Sequence, residues 1–172
     1  MIFKVYIATS VDGFVATDDG GVGWLDAFAG DDHGYAEFIA SVSTIVVGRR
    51  TYDQVRTLGG WPYANKRTVV LTSTPLEPDA AEDTAAWHGG VEELVARLRE
   101  EPGDVWVLGG PDTLRAFREA RAIDAWEIFL IPLLLGSGVP LFGGIAAPRE
   151  LRLVDTRRWP NGVVRLRYTM LG

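Results

Sequence analysis

Ten consecutive residues, Thr44 to Asp53 (TIVVGRRTYD), gather the side chains best suited to holding an anion. Residues 44–47 form a short apolar, β-branched run that fits a buried strand, and Gly48 ends it where the backbone must turn sharply. Arg49 and Arg50 then add two fixed positive charges, and Thr51 a hydroxyl, at a strand-to-helix junction whose unpaired N–H groups already favour an anion. The chemistry indicated is phosphate binding, with solvated helix-start charge as the plainer role open to both arginines. Two other stretches point the same way. Residues 67–72 (RTVVLT) read as a strand, and Thr72 and Ser73 put hydroxyls at its C-terminal end, the edge where open α/β sheets receive ligands, although both also suit an ordinary turn. Residues 105–108 read as another strand, followed by Gly109-Gly110-Pro111-Asp112 and a helix with Leu114 and Phe117 facing inward. Paired glycines allow close approach of a ligand, and Pro111 suits a first helical position. Neither the full dinucleotide fingerprint nor the lysine of a Walker loop is present.

These groups need elements to hold them. Residues 2–9 have the content of a central strand, and 10–23 (SVDGFVATDDGGVG) read as a loop in which Asp12-Gly13 is either a plain turn or part of a site. Trp24 and Leu25 close that loop. From Asp32 the pattern changes: Tyr35, Phe38, Ile39 and Val42 share one helical face, with Asp31 or Asp32 as the natural cap. Residues 51–56 predict a short helix, 85–88 a short strand and 91–100 a helix. Residues 125–131 predict a strand, and 132–144 a leucine-rich loop. The chain closes with a hairpin, 151–156 and 163–169, around Pro160-Asn161-Gly162. Arg152, Arg157, Arg158, Arg165 and Arg167 fall in it, most simply on a solvent face.

Bulk composition narrows the class. The 172 residues suffice for one domain with a substantial core. A formal charge of -6 disfavours nucleic acid and anionic membrane as partners. With no cysteine, disulfides and thiolate chemistry are excluded, and two isolated histidines leave little for a metal cluster. The N-terminal residues lack a signal-peptide layout and no apolar run reaches membrane-spanning length, so a cytoplasmic protein acting on a small molecule is expected.

Taken in order, SVDGFVA, TIVVGRRTYD, VVLTSTP and VWVLGGPDTLRAF resemble the dihydrofolate reductase-like family. The resemblance is greatest to the branch holding the reductase domain of riboflavin-biosynthesis deaminase-reductases, to which PLLLGSGVPLF is also similar. It spans nearly the whole chain. It implies a three-layer α/β fold, with a mostly parallel central sheet, an antiparallel C-terminal strand or hairpin and helices on both faces, and it implies NADPH as hydride donor. It matches Arg49, Arg50 and Thr51, with Gly48 before them, to the segment that contacts the adenosine 2′-phosphate and the pyrophosphate. Thr72 and Ser73 match partners at the adenosine ribose phosphate. Gly109, Gly110, Asp112 and Thr113 match the turn under the pyrophosphate and nicotinamide ribose, and Ala8, Asp12 and Gly13 match the edge covering the nicotinamide. Paired arginines at a 2′-phosphate favour NADPH over NADH.

On the substrate side, a gapless count back from Gly48 puts Asp32 at the acidic position that helps protonate the pterin in folate-reducing members. A buried carboxylate there would bind an amino-pyrimidine edge and deliver a proton, beside Trp24. The segment between Trp24 and Asp32 is longer than in folate enzymes and lacks their proline, and Lys66 stands about where they use an arginine. Riboflavin-pathway members, for their part, do not generally carry an acid at the Asp32 position. The expectation is an NADPH-dependent reductase of a small heterocycle or ribosylamino-pyrimidine, similar to 5-amino-6-(5-phosphoribosylamino)uracil reductase. A homodimer formed through the leucine-rich loop and final hairpin goes with it. Dihydrofolate reduction is one alternative. A non-catalytic NADPH-binding module, its pocket filled by Trp24 or Phe28, is the other.

Overall fold

The structure is a computed structural model describing residues 1–80, 82–144 and 148–171. In chain order it contains β1 (Phe3–Ser10), β2 (Phe14–Ala16), a 3₁₀ turn (Gly23–Phe28), α1 (Tyr35–Ser41), β3 (Val42–Gly48), α2 (Arg49–Thr57), β4 (Arg67–Leu71) and β5 (Thr84–Trp87). Then come α3 (Val91–Arg99), β6 (Asp104–Gly109), α4 (Pro111–Glu119), β7 (Ala125–Ile131), β8 (Val139–Pro140), β9 (Leu151–Arg158) and β10 (Val164–Met170). The chain makes two compact units. One comprises Met1–Lys4 and Ser41–Ile123, the other Val5–Ala40 and Asp124–Gly172, and β1 runs from the first into the second.

In the first unit the strand order is β5-β4-β3-β6, with the start of β1 beside β6. Every pairing there is parallel, and Val46 of β3 lies opposite Val69 of β4 and Val107 of β6. Parallel strands need long crossovers, and α2, α3 and α4 follow β3, β5 and β6 in that role. Ile45, Val46, Val47 and Val70 are fully buried, which is why these strands read as unbroken apolar runs instead of alternating. Leu94, Leu98, Leu114 and Phe117 bury the helix stripes that the spacing predicts. Lys4 is a buried charge, satisfied by Asp104 at 2.7 Å and the Ser41 hydroxyl at 2.8 Å.

In the second unit the order is β1-β7-β10-β9, with β10 antiparallel to both neighbours. The expected hairpin is present, and Gly162 takes φ +88° at its turn. The fold class is as expected, a mostly parallel sheet finished by antiparallel strands. Among the described residues no helix is long and apolar enough to cross a membrane.

Four local expectations are corrected. Val42 does not extend the α1 face; it opens β3, pairing with Asp104, because a β-branched residue gains more from that buried ladder than from another helical turn. The segment 10–23 is not all loop, since β2 pairs with β8 and the 3₁₀ turn begins at Gly23. Helix α2 starts at Arg49, two residues earlier than the spacing indicates. Arg165 is not on a solvent face. Strand β10 is interior to the sheet, and the Arg165 side chain, 13% exposed, pairs with Asp155 at 2.6 Å and Glu127 at 3.4 Å. Arg152, Arg157 and Arg158 are exposed as expected.

Candidate functional site

Each unit carries one cluster of predicted residues. In the first, parallel pairing of β3 with β6 brings their two C-terminal turns side by side, Val47 lying opposite Gly109. Each turn opens directly into a helix. Gly48 caps α2 and Gly110 caps α4, both extended, and neither helix start receives a side-chain hydrogen bond. The Gly109–Gly110 peptide is cis. A Cβ on Gly48 would lie 2.6 Å from the Thr113 hydroxyl oxygen, and one on Gly110 would lie 2.8 Å from that of Thr51. A side chain at either place would force the facing threonine hydroxyl to move. Two helix N-termini thus stand together with first-turn N–H groups free of side-chain caps, framed by two threonine hydroxyls, which is an anion cradle. A phosphate-bearing nucleotide such as NADPH fits this donor set, with Gly48, Thr51, Gly110 and Thr113 to hold its phosphates.

The arginine pair divides. Arg50 is exposed, and among the described residues it makes no hydrogen bond or ion pair. Arg49 is committed inside the unit: Nε bonds Asp53 at 2.7 Å, one Nη bonds the Pro75 carbonyl at 2.8 Å and the other Glu77 at 3.4 Å. These carboxylates, Asp53 first, raise its already high pKa. Thr72 is likewise occupied, closing a turn in which its hydroxyl donates to the Thr74 carbonyl at 3.0 Å and accepts the Thr74 N–H at 3.1 Å. Ser73 is exposed, and Asp112, also exposed, pairs with Arg115 at 2.7 Å.

The second unit holds a pocket of about 190 Å³. Leu25, Phe28, Phe129, Ile131 and Val163 wall it together with Ala8, and its polar lining is Tyr6, Asp32 and His33. Asp32 is exposed, not buried as expected. It sits ahead of α1, where its two carboxylate oxygens accept the Ala36 N–H at 3.1 and 3.3 Å, so it caps that helix while lining the pocket. Capping with one edge leaves lone pairs for a ligand. Trp24 is not in the lining; it packs against the cluster of Phe129, Ile131 and Val163, and its buried indole Nε1 has no hydrogen-bond partner among the described residues. Asp12 ties two loops together, accepting the N–H groups of Leu135 at 3.1 Å and Gly136 at 2.7 Å. The Ser10 hydroxyl and these amides hold its carboxyl below the usual range. Gly13 next to it takes φ +89°, a conformation that needs glycine in this turn.

Two polar residues lining this pocket were not singled out from the sequence as site residues. Tyr6 donates to the His33 carbonyl at 3.3 Å, and burial, then Glu127 and Asp32, push its phenol far above the ordinary range, so it remains a neutral hydroxyl. His33 is the other, and Asn161, named from the sequence only as a hairpin-turn residue, lies outside the lining with its Nδ2 at 3.4 Å from His33 Nε2. A left-handed backbone at His33, φ +51°, is the signature of a constrained position, and sequence spacing carries no trace of it.

The model of the RibD C-terminal domain matches residues 3–165. The uncharacterized protein YwjB of Bacillus subtilis (strain 168) is 38% identical over 162 residues, covering 92% of each chain. A putative riboflavin biosynthesis protein from Shewanella sp. PV-4 superposes over the full length of both chains with a TM-score of 0.90 at 29% identity. Dihydrofolate reductase from Enterococcus faecalis, complexed with NADP(H), shares the fold at a TM-score of 0.66 and 18% identity, over 99% of this chain and 97% of that one. The chain therefore belongs to the RibD C-terminal domain family, reductase-like domains built on the dihydrofolate reductase fold.

Proposed function

We propose that this chain is an NADPH-dependent reductase of a small heterocyclic substrate, of the 5-amino-6-(5-phosphoribosylamino)uracil reductase type, working as a homodimer. The observation that carries the reading is the paired, glycine-capped helix starts at Gly48 and Gly110, whose free N–H groups suit a pyrophosphate. The solved relatives support it, one named for riboflavin biosynthesis and one complexed with NADP(H). Bound NADPH supplies the hydride; the protein supplies positioning, a dry pocket and a proton route. Arg50, uncommitted, is the cation for the 2′-phosphate. In the second unit, apolar walls accept a flat ring, and Asp32 takes up its N–H edge and holds the proton that reduction requires.

Asp32 in the pocket also keeps dihydrofolate as a second candidate substrate. The non-catalytic module is disfavoured because Phe28 walls the pocket without filling it and Trp24 lies outside the lining.

The test is a titration of the protein with NADPH and NADH, followed by tryptophan quenching, in wild type, Arg50→Ala and Arg49→Ala. Loss of one charge-assisted contact predicts about 10–100-fold weaker NADPH binding in Arg50→Ala with NADH unchanged. Arg49→Ala has the smaller effect. Equal affinity for the two nucleotides, or none for either, overturns the proposal. Turnover with ribosylamino-pyrimidines and with dihydrofolate then decides between substrates.

A further inference from the structure

The sheet face that carries the pocket of the second unit extends beyond it. Phe129 of β7 lies opposite Arg165 of β10, and Arg165 lies opposite Arg157 of β9. Residues directly opposite share a face, so Phe129, which lines the pocket, forms one row with the two arginines. Like charges set side by side in this way are destabilising unless something neutralises them. Arg165 has its counterions, Asp155 at 2.6 Å and Glu127 at 3.4 Å. Arg157 is exposed and makes no hydrogen bond or ion pair among the described residues.

The Arg157 guanidinium is nonetheless held in place, stacked over the Trp159 ring at 4.9 Å from its centroid. Trp159 is fixed by the hairpin turn: its N–H donates to the Val163 carbonyl at 3.0 Å, and its carbonyl accepts the Gly162 N–H at 3.0 Å. Its indole packs against Phe129, Ile131 and Val163 and meets the His33 ring edge to face, with centroids 4.9 Å apart. All four of those residues line the pocket. Stacking covers the flat side of a guanidinium and leaves its N–H edge open, and that edge is the one that takes a phosphate or a carboxylate.

We propose that Arg157 is a specificity-determining residue of this pocket: the ring bound there carries an anionic arm, a phosphate or a carboxylate, which reaches past Trp159 to the guanidinium. The inference rests on the substrate pocket of the proposed reductase and names what its substrate carries. Neighbouring strands lie about 5 Å apart, so two strand spacings, about 10 Å, separate the backbones of Phe129 and Arg157, a span that a ring substituent and an arginine side chain cover together. The chain's net charge of -6 gives an anion no general attraction, so a local cation decides whether the arm is held.

The experiment uses cofactor-free protein and two pairs of probes, uridine 5′-monophosphate with uridine and folate with pterin, which separate a phosphate arm from a carboxylate arm. Binding is read in ¹H–¹⁵N spectra at the Trp159 indole N–H, which excludes occupancy of the first unit, in wild type, Arg157→Gln and Arg158→Gln. Arg158 is also exposed but lies opposite Val164, on the other face of the sheet. Arg157→Gln is expected to weaken at least one anionic probe about 5–10-fold and to leave its neutral partner unchanged, a difference that disappears in about 1 M salt. The pair that responds identifies the arm. Arg158→Gln is expected to change neither pair. Equal weakening of an anion and its neutral partner, an equal effect of Arg158→Gln, no effect of Arg157→Gln, or no binding of any probe at the indole overturns the inference. Because no nucleotide cofactor is present, a failed NADPH titration with this discrimination intact sinks only the reductase reading.

Discussion

At Gly48 the constraint is space, not backbone strain, since φ is an ordinary -75°. Gly48→Ala would set a methyl against the Thr113 hydroxyl at 2.6 Å, and the expected cost is about 1–3 kcal/mol in chemical denaturation together with weaker NADPH binding. Thr113→Ala on the same background should restore much of that stability; additive losses in this double-mutant cycle would show that the two turns are not in contact. Gly48, Thr51 and Gly110 of this cradle stood out in the sequence as turn and hydroxyl residues at strand ends, whereas Thr113 was matched only through the family resemblance. The division between Arg49 and Arg50 was only half legible. Asp53, four residues after Arg49, is an evident helical partner, but Glu77 and the Pro75 carbonyl meet it only through the turn after β4. His33 and Asn161 lie 128 positions apart, and nothing local marks either one as a contact.

Among the elements, the β1–β2 turn and the loop after β7 are tied by the Asp12 carboxylate together with the Val11 N–H, which donates to the Leu133 carbonyl at 2.9 Å. The carboxylate's folded-state pKa is depressed, so its contribution is fully present above the ordinary carboxylate pKa of about 4 and is lost as pH falls through the lower folded value. Amide exchange at Leu135 and Gly136 is therefore expected to accelerate below that pH, beyond the intrinsic trend, and to be fast at neutral pH in Asp12→Ala. Identical protection in the variant would remove the carboxylate from this role. Element identity followed periodicity wherever runs were long, as in α3 and β7. It failed where three residues make a strand, as in β2, which no two-residue period can reveal, and at Val42, where helix passes into strand without a loop.

At the scale of the whole molecule, β9 ends the sheet and leaves Leu151, Leu153 and Val154 exposed, at 36%, 50% and 46%. An uncovered apolar edge strand invites pairing with another. Light scattering after size exclusion is expected to give twice 18.8 kDa, and Leu153→Lys should return the monomer without lowering thermal stability; a monomeric wild type would rule the homodimer out. The sheet's mostly parallel character was expected from the family resemblance, and the buried apolar strands alternating with helices agree with it. The two compact units were not legible in the sequence, because the chain leaves the first after Lys4 and re-enters it at Ser41, a return that composition does not record. That interleaving has a consequence during synthesis. As the chain emerges from the ribosome, residues 5–40 appear early, yet the strands that cover Tyr6, Trp24 and Phe28 lie beyond residue 124. The first unit can close while this early segment is still waiting with its aromatic side chains in water, which makes the nascent chain a natural client for chaperones that shield apolar surface.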